Sequence, residues 1–158
     1  MRGARPSLRI VALALAAIVA LTSTALAARP SPGAKYRGKT SEGRTIFASV
    51  SEAGPGLGLR MRFREKFNCR GIRDRLLYAL YFRDRPAIAR DGTFRYRKRY
   101  TGLRDPGLPG RFTNTQRLRG RFTDGLRRVR GRSVSRVFNS RFSCRSTITF
   151  SARRIRSG

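Results

Sequence analysis

The side chains of this chain that could do chemistry are its carboxylates, its two cysteines and its many arginines. The 158 residues include 37 Lys and Arg, 8 Asp and Glu, 2 Cys and no His. The absence of histidine excludes Ser-His and Cys-His nucleophile pairs and removes the commonest metal ligand. Two widely separated cysteines cannot form a tetrahedral thiolate site. The sequence therefore predicts no metal, no cofactor and no enzyme of these classes.

A pair of carboxylates could perform glycosidase-type acid-base chemistry, which keeps a hydrolase as a third hypothesis. Asp74 and Asp84 each stand between arginines, where solvated ion pairs are expected. The other acidic residues, except Glu65, lie beside or near Gly or Pro in predicted turns, namely Glu42, Glu52, Asp91, Asp105 and Asp124. We therefore assign no catalytic residue.

Glu65 is the exception among the acidic residues. By alternation it shares the apolar face of its predicted strand with Phe63 and Phe67. A bulge or strand end would place its carboxylate at a rim, whereas a pocket would bury it and raise its pKa. The sequence leaves both interpretations open.

Arginines alternate with apolar or aromatic residues along several segments of the chain. Guanidinium groups bind phosphate bidentately, and the interleaved Phe94, Tyr96 and Tyr100 could stack on bases. GC-rich codon usage is the competing explanation, because 33 of the basic residues are Arg and they occur along nearly every strand. The predicted anion-binding residues are Arg60, Arg62, Arg64, Arg95, Arg97 and Arg99.

Residues 1–27 predict a secretory signal peptide. Three arginines precede an apolar run from Ile10 to Leu21, and Ala25-Leu26-Ala27 fits a small-residue cleavage site. The run is shorter than the roughly 20 residues that a membrane-spanning helix needs, which disfavours an uncleaved anchor. We expect cleavage before Ala28 and a secreted or extracytoplasmic chain without an integral membrane span.

The elements that would position these side chains are short antiparallel strands. After a flexible linker at 28–35, apolar and polar residues alternate between Gly and Pro turns throughout 36–155. Asp124-Gly125 supplies the positive φ angles of a hairpin turn. We predict a single all-β domain, an antiparallel β-sandwich or closed barrel of about seven to nine strands, preceded by a signal-peptide helix.

Cys69 and Cys144 share the parity of the apolar residues in their strands. An even number of cysteines in an oxidising compartment favours a disulfide. The bridge would close a loop of roughly 75 residues, which contributes about 4 kcal/mol in the chain-entropy model. We predict an inter-strand or inter-sheet disulfide between them.

Several short motifs resemble a known group of proteins. They are Tyr36-Arg37-Gly38-Lys39-Thr40-Ser41, Asp91-Gly92-x-Phe94, Gly120-Arg121-Phe122-Thr123 and Cys144 followed by Ile148-Thr149-Phe150-Ser151-Ala152-Arg153. Together they resemble a loosely defined group of small secreted, Arg-rich β-proteins of high-GC Gram-positive bacteria that has no established function. The resemblance implies export, a β-rich fold and a paired disulfide, and it implies no site residue.

The function expected from these features is electrostatic association without catalysis. Removing the leader lowers the formal charge from +29 to about +26, enough to attract anions over a long range. Anionic envelope or extracellular polymers and lipid headgroups are the expected partners, with nucleic acid after them. The alternative is a ligand-binding or inhibitor-like module that uses loops around 53–58 or 103–110.

Overall fold

The computed structural model describes residues 29–53, 56–72, 77–81 and 85–156, so the predicted signal peptide lies outside the described residues. Within those ranges the secondary structure is strand and turn without a helix. The strands are β1 Lys35–Thr40, β2 Thr45–Ala53, β3 Gly56–Lys66, β4 Asn68–Arg70, β5 Leu77–Tyr81, β6 Ala87–Ile88, β7 Thr93–Leu103, β8 Phe112–Thr123, β9 Arg128–Phe138 and β10 Ser143–Ile155. No helix long and apolar enough to cross a bilayer occurs in the described part.

All ten strands belong to one antiparallel sheet that closes into a ring. The order along the sheet is β1-β2-β3-β6-β7-β8-β9-β10-β4, and β10 also pairs with β1. β5 lies off this path and pairs with β3. The ring is not a regular barrel, because β6 joins β3 to β7 through only two residues, Ala87 and Ile88. The all-β antiparallel prediction is confirmed.

Alternating burial along each strand produces the interior of the ring. On β3, Leu59, Met61 and Phe63 are buried, whereas Arg60 and Arg62 between them are exposed. The predicted hairpin between β8 and β9 has positive φ angles at Asp124, Gly125 and Leu126. The two-residue period of an extended chain therefore decides which side chains face the core and which face water.

The interior contains two apolar clusters separated by a polar layer. On β10, Cys144 belongs to one cluster and Ile148 to the other, and the buried Ser146 lies between them. The same succession is repeated along β3 and the residue that follows it, where Glu65 lies between Phe63 and Phe67. The buried polar residues of this layer are Glu65, Gln116, Ser133, Ser135 and Ser146.

The disulfide between Cys69 and Cys144 is present, as predicted. The two residues are directly opposite each other on β4 and β10, so the bridge joins neighbouring strands. At the start of the described chain, Gly33 N–H donates to Val50 O and Val50 N–H donates to Ala34 O, both at 2.9 Å. Sheet-like contacts thus begin within the 28–35 segment, and β1 starts at Lys35.

Candidate anion-binding surface

The outer face of β7 to β10 carries a set of exposed arginines, which we call the arginine surface. They occupy the outward positions of four consecutive strands in the ring. Because outward positions recur every second residue, each strand presents its arginines on one side. The members are Arg95, Arg97, Arg99, Arg117, Arg119, Arg121, Arg130, Arg132, Arg136 and Arg145.

The strand register places these arginines opposite one another. Arg119 on β8 faces Arg95 on β7 and Arg132 on β9. The other facing pairs are Arg97 with Arg117, Arg121 with Arg130, and Arg136 with Arg145. Cβ atoms of directly opposite residues are about 5 Å apart, and like charges in such pairs destabilise a sheet. The free surface therefore holds repulsion that a bound anion would relieve.

Several carboxylates of the described chain stabilise turns. Asp124 pairs with Arg128 at 3.3 Å beside the β8–β9 turn. Asp91 accepts hydrogen bonds from the Thr93 backbone N–H at 3.0 Å and from the Thr93 hydroxyl at 2.7 Å, which lowers the pKa of the Asp91 carboxyl, and the charge of Arg121 on the arginine surface acts in the same direction. Across β7 to β10, every one of whose residues is described, no outward position carries Asp or Glu.

Two adjoining shallow grooves run between these side chains. One is lined by Arg95, Arg97, Arg117, Arg119, Arg132 and Arg145. The other is lined by Arg95, Arg119, Arg121, Arg130 and Arg132. Because the two grooves share the central row of Arg95, Arg119 and Arg132, arginines of three strands border a common space. This convergence is the feature that a polyanion site requires.

The predicted anion-binding residues are divided between two surfaces. Arg95, Arg97 and Arg99 belong to the arginine surface. Their counterparts Arg60, Arg62 and Arg64 are exposed on β3, and their register neighbours on β2 and β5 are Ser49, Phe47, Tyr81 and Ala79. The β3 triplet therefore faces no arginine directly. The arginines of β8 and β9, which sequence analysis did not single out, complete the first surface.

The aromatic residues expected to stack on bases have the opposite parity to the arginines of β7. Phe94 is buried and packs against Phe122, with ring centroids 5.9 Å apart, so it does not offer a face to a base. Tyr96 and Tyr100 are half-buried, and their hydroxyl groups form a hydrogen bond of 2.7 Å. Tyr96 also borders the first of the two grooves, so stacking on Tyr96 or Tyr100 stays a prediction.

Glu65 lies in the polar layer of the interior with no exposed surface. Burial raises the pKa of its carboxyl to about 7, while Ser135 and Ser146 nearby act to lower it and the charge of Glu42 to raise it. Neither carboxyl oxygen of Glu65 reaches hydrogen-bonding geometry with a partner in the described part of the protein. Ser135 and Ser146 are directly opposite each other on β9 and β10, so long-range register assembles this layer.

Among the described residues, no second carboxylate shares the interior with Glu65. Glu42, whose charge acts on the pKa of Glu65, lies at the surface, where it accepts a hydrogen bond from Lys66 N–H at 3.0 Å and pairs with Arg44 at 3.4 Å. Two catalytic carboxylates must flank one substrate, whereas Glu65 faces the interior. Among the described residues no group of three or more His, Cys, Asp or Glu is arranged to hold a metal ion.

The loop at 103–110 is anchored to the second apolar cluster. Leu103 and Leu108 pack into that cluster. The Asn139 side-chain amide donates to Pro109 O at 2.7 Å and to Arg111 O at 3.1 Å. In the other candidate loop, at 53–58, residues 54 and 55 lie outside the described ranges. The exposed residues of the loop at 103–110 are Arg104, Pro106, Gly107 and Gly110.

No protein-family model, no curated protein and no solved structure matches this chain.

Proposed function

We propose that this chain is an exported, non-enzymatic β-protein that binds anionic polymers of the cell envelope or the extracellular space through its arginine surface. The main support is the row of Arg95, Arg119 and Arg132, which are opposite one another on three neighbouring strands without an intervening carboxylate.

The physical basis is differential electrostatics. Each facing arginine pair raises the free energy of the free protein slightly, and an anion between the two guanidinium groups converts repulsion into two charge-assisted hydrogen-bonded contacts. Binding also releases the counterions condensed on the polymer. Binding of a polyanion is therefore favoured both by the relief of repulsion between arginines of the protein and by the release of counterions from the polymer.

The distribution of arginine supports a surface more than a compositional background. The outward positions of β2 are Thr45, Phe47, Ser49 and Ser51, none of which is basic. On β3, β7 and β8, by contrast, arginine takes three consecutive outward positions of each strand. Most of those on β7 and β8 are opposite another arginine, whereas those on β3 are not, so the facing pairs support a surface more than the number of arginines does.

Export is supported by the apolar leader in the sequence and by the disulfide. A structural bridge such as Cys69–Cys144 is typical of proteins that fold in an oxidising compartment. Outside the cytoplasm, the abundant polyanions are envelope polymers and released nucleic acid. An envelope phosphate polymer is therefore the first ligand to test for binding.

The test compares two variants with the same loss of charge. We expect Arg95→Gln/Arg97→Gln/Arg119→Gln to weaken binding of poly(glycerol phosphate) by about tenfold or more, since several charge-assisted contacts are lost. The matched control, Arg60→Gln/Arg62→Gln/Arg64→Gln, should lose much less. Titrations over a salt series should give log affinity that falls linearly with log salt.

Equal losses in the two variants would show that only net charge matters and would refute the arginine surface as the site. Binding that is saturable but insensitive to salt would instead favour a loop-based ligand module.

A further inference from the structure

We infer that the arginine surface selects linear phosphodiester polymers with a six-bond repeat between phosphates, held parallel to β7, β8 and β9. This inference deepens the proposed function and rests on it. The ligand is defined by its six-bond phosphodiester backbone, which poly(glycerol phosphate) and single-stranded nucleic acid share.

The spacing of arginines along a strand is the first step. Alternate residues such as Arg95 and Arg97 are separated by six backbone bonds, which span about 6.8 Å in an antiparallel strand. A phosphodiester with a three-carbon bridge also has six bonds from one phosphorus to the next, along P–O–C–C–C–O–P. Two extended chains with the same number of bonds per repeat stay in step, at about 7 Å per repeat.

The pairing across strands is the second step. Between β7 and β8, the pair Arg95–Arg119 is followed along the strands by Arg97–Arg117. Between β8 and β9, Arg119–Arg132 is followed by Arg121–Arg130. Successive phosphates of a six-bond polymer would therefore each meet two guanidinium groups, and each phosphate has two non-bridging oxygens to accept their hydrogen bonds.

The spacing of the arginine pairs disfavours polymers with other distances between phosphates and polymers that run across the strands. Polyphosphate has two bonds between phosphorus atoms, so most of its phosphates would fall between arginine pairs. A polymer that ran across the strands would meet side chains about 4.8 Å apart, which is too short for an extended six-bond repeat. The register between β7 and β8 is regular from Thr93 to Tyr100 and shifts only after Tyr100. The regular part offers four outward positions, of which the central two, Arg95–Arg119 and Arg97–Arg117, present two guanidinium groups and the outer two, at Arg121 and Arg99, present one.

The experiment uses synthetic oligomers that carry equal numbers of phosphates and differ only in spacing. Polyphosphate has a two-bond repeat, the propanediol phosphodiester a six-bond repeat and the hexanediol phosphodiester a nine-bond repeat. We expect the propanediol oligomer to bind about tenfold more tightly than either of the others at equal salt, the equivalent of one well-placed charge-assisted contact.

If the arginine surface attracted the oligomers by its electrostatic field alone, without matching phosphates to arginine pairs, the order of their affinities would differ. Affinity would then follow charge density, with polyphosphate first and the hexanediol oligomer last. That order would overturn the six-bond selection and leave the proposed polyanion binding intact. Failure of all three oligomers to bind at low salt would refute the proposed function itself.

Two single substitutions distinguish the matching of phosphates to arginine pairs from the effect of net charge. Arg117→Gln breaks the Arg97–Arg117 pair, and Arg64→Gln removes the same charge from β3, opposite Ala79. We expect Arg117→Gln to abolish the preference for the propanediol oligomer and Arg64→Gln to retain it. Single-stranded DNA and poly(glycerol phosphate) of equal length should bind within a few-fold of each other. Binding of DNA alone would show recognition of bases and would overturn the inference.

Discussion

At the scale of single residues, Glu65 is the most unusual position in this protein. Its carboxyl group lies in a buried layer with Gln116, Ser135 and Ser146. A protonated carboxyl can donate one hydrogen bond and accept others, so it suits a surrounding of hydroxyl and amide groups better than a buried charge does. The raised pKa follows from this position, and it couples the protonation of one side chain to the stability of the fold.

We predict that the free energy of unfolding decreases as the pH rises from about 4.5 through about 7. The folded state holds the Glu65 proton up to a pKa of about 7, whereas the ordinary value is 4.5. Protonation of Glu65 thus contributes fully to the free energy of unfolding at low pH. This contribution, on the order of 3 kcal/mol, is lost as the pH rises through the pKa of the folded state. Denaturant titrations at about pH 5 and pH 8 measure this difference.

Glu65→Gln should remove most of this pH dependence and should unfold at higher denaturant than the native protein at pH 8. Glu52→Gln, at the exposed end of β2, serves as the control and should preserve the slope. A slope that persists unchanged in Glu65→Gln would assign the effect to other groups.

At the scale of elements, two facing glycines position the centre of the arginine surface. Gly120 on β8 is directly opposite Gly131 on β9. A Cβ on Gly131 would overlap the Arg119 carbonyl and the Phe150 ring, and a Cβ on Gly120 would overlap the Phe94 ring. The aromatic rings of the core therefore pack directly on the backbone whose outer side carries the arginines.

We predict that Gly131→Ala destabilises the protein by about 3 kcal/mol or more, because overpacking against a backbone carbonyl cannot be relieved by one side-chain rotation. Thermal unfolding measures this loss. The comparison variant is Gly43→Ala, at φ 73° with no atom within 4 Å of the added Cβ. It should lose only the smaller cost of a left-handed conformation, about 1 kcal/mol. Since Gly131 has no left-handed φ, equal losses would show that the neighbouring strand and the Phe150 ring yield to the added methyl group and that close packing does not require glycine at position 131.

At the scale of the whole molecule, the excess of positive charge opposes folding. The full chain has a formal charge of +29, and self-repulsion destabilises a compact state when the net charge is far from zero. The ring places arginines on adjacent strands, which adds local repulsion to this general effect. Stability and anion binding are therefore linked, since any ligand that binds only the folded state also stabilises it.

We predict that the melting temperature rises when NaCl is increased from about 0.01 M to about 0.5 M, because the Debye length falls from about 30 Å to a few ångströms. Arg119→Gln should raise the melting temperature at low salt, since Arg119 faces two arginines. Arg64→Gln has the same charge change and should raise it less. A melting temperature that is independent of salt in all three proteins would show that the facing arginines do not repel one another measurably.

Much of the fold was predictable because alternation is a local property of a strand. Patterns within short segments predict the inward positions of β3 and β10 and the β8–β9 turn at Asp124-Gly125. The partnership of Cys69 with Cys144 follows because the chain has two cysteines. The parity of Glu65 between Phe63 and Phe67 left a rim position and a buried position open, and the fold placed it in the interior. A stacking role for Tyr96 and Tyr100 stays a prediction.

The sequence by itself determined the class of fold, the disulfide and the set of arginines that project outward. Only the tertiary structure decided which outward arginines face one another, and hence that those of β7 to β10 form one surface whereas the β3 triplet faces no arginine directly. It also decided that Glu65 shares a layer with Ser135 and Ser146. The physical reason is that alternation depends on the torsion angles of adjacent residues, whereas strand order depends on hydrogen bonds between residues far apart in the chain.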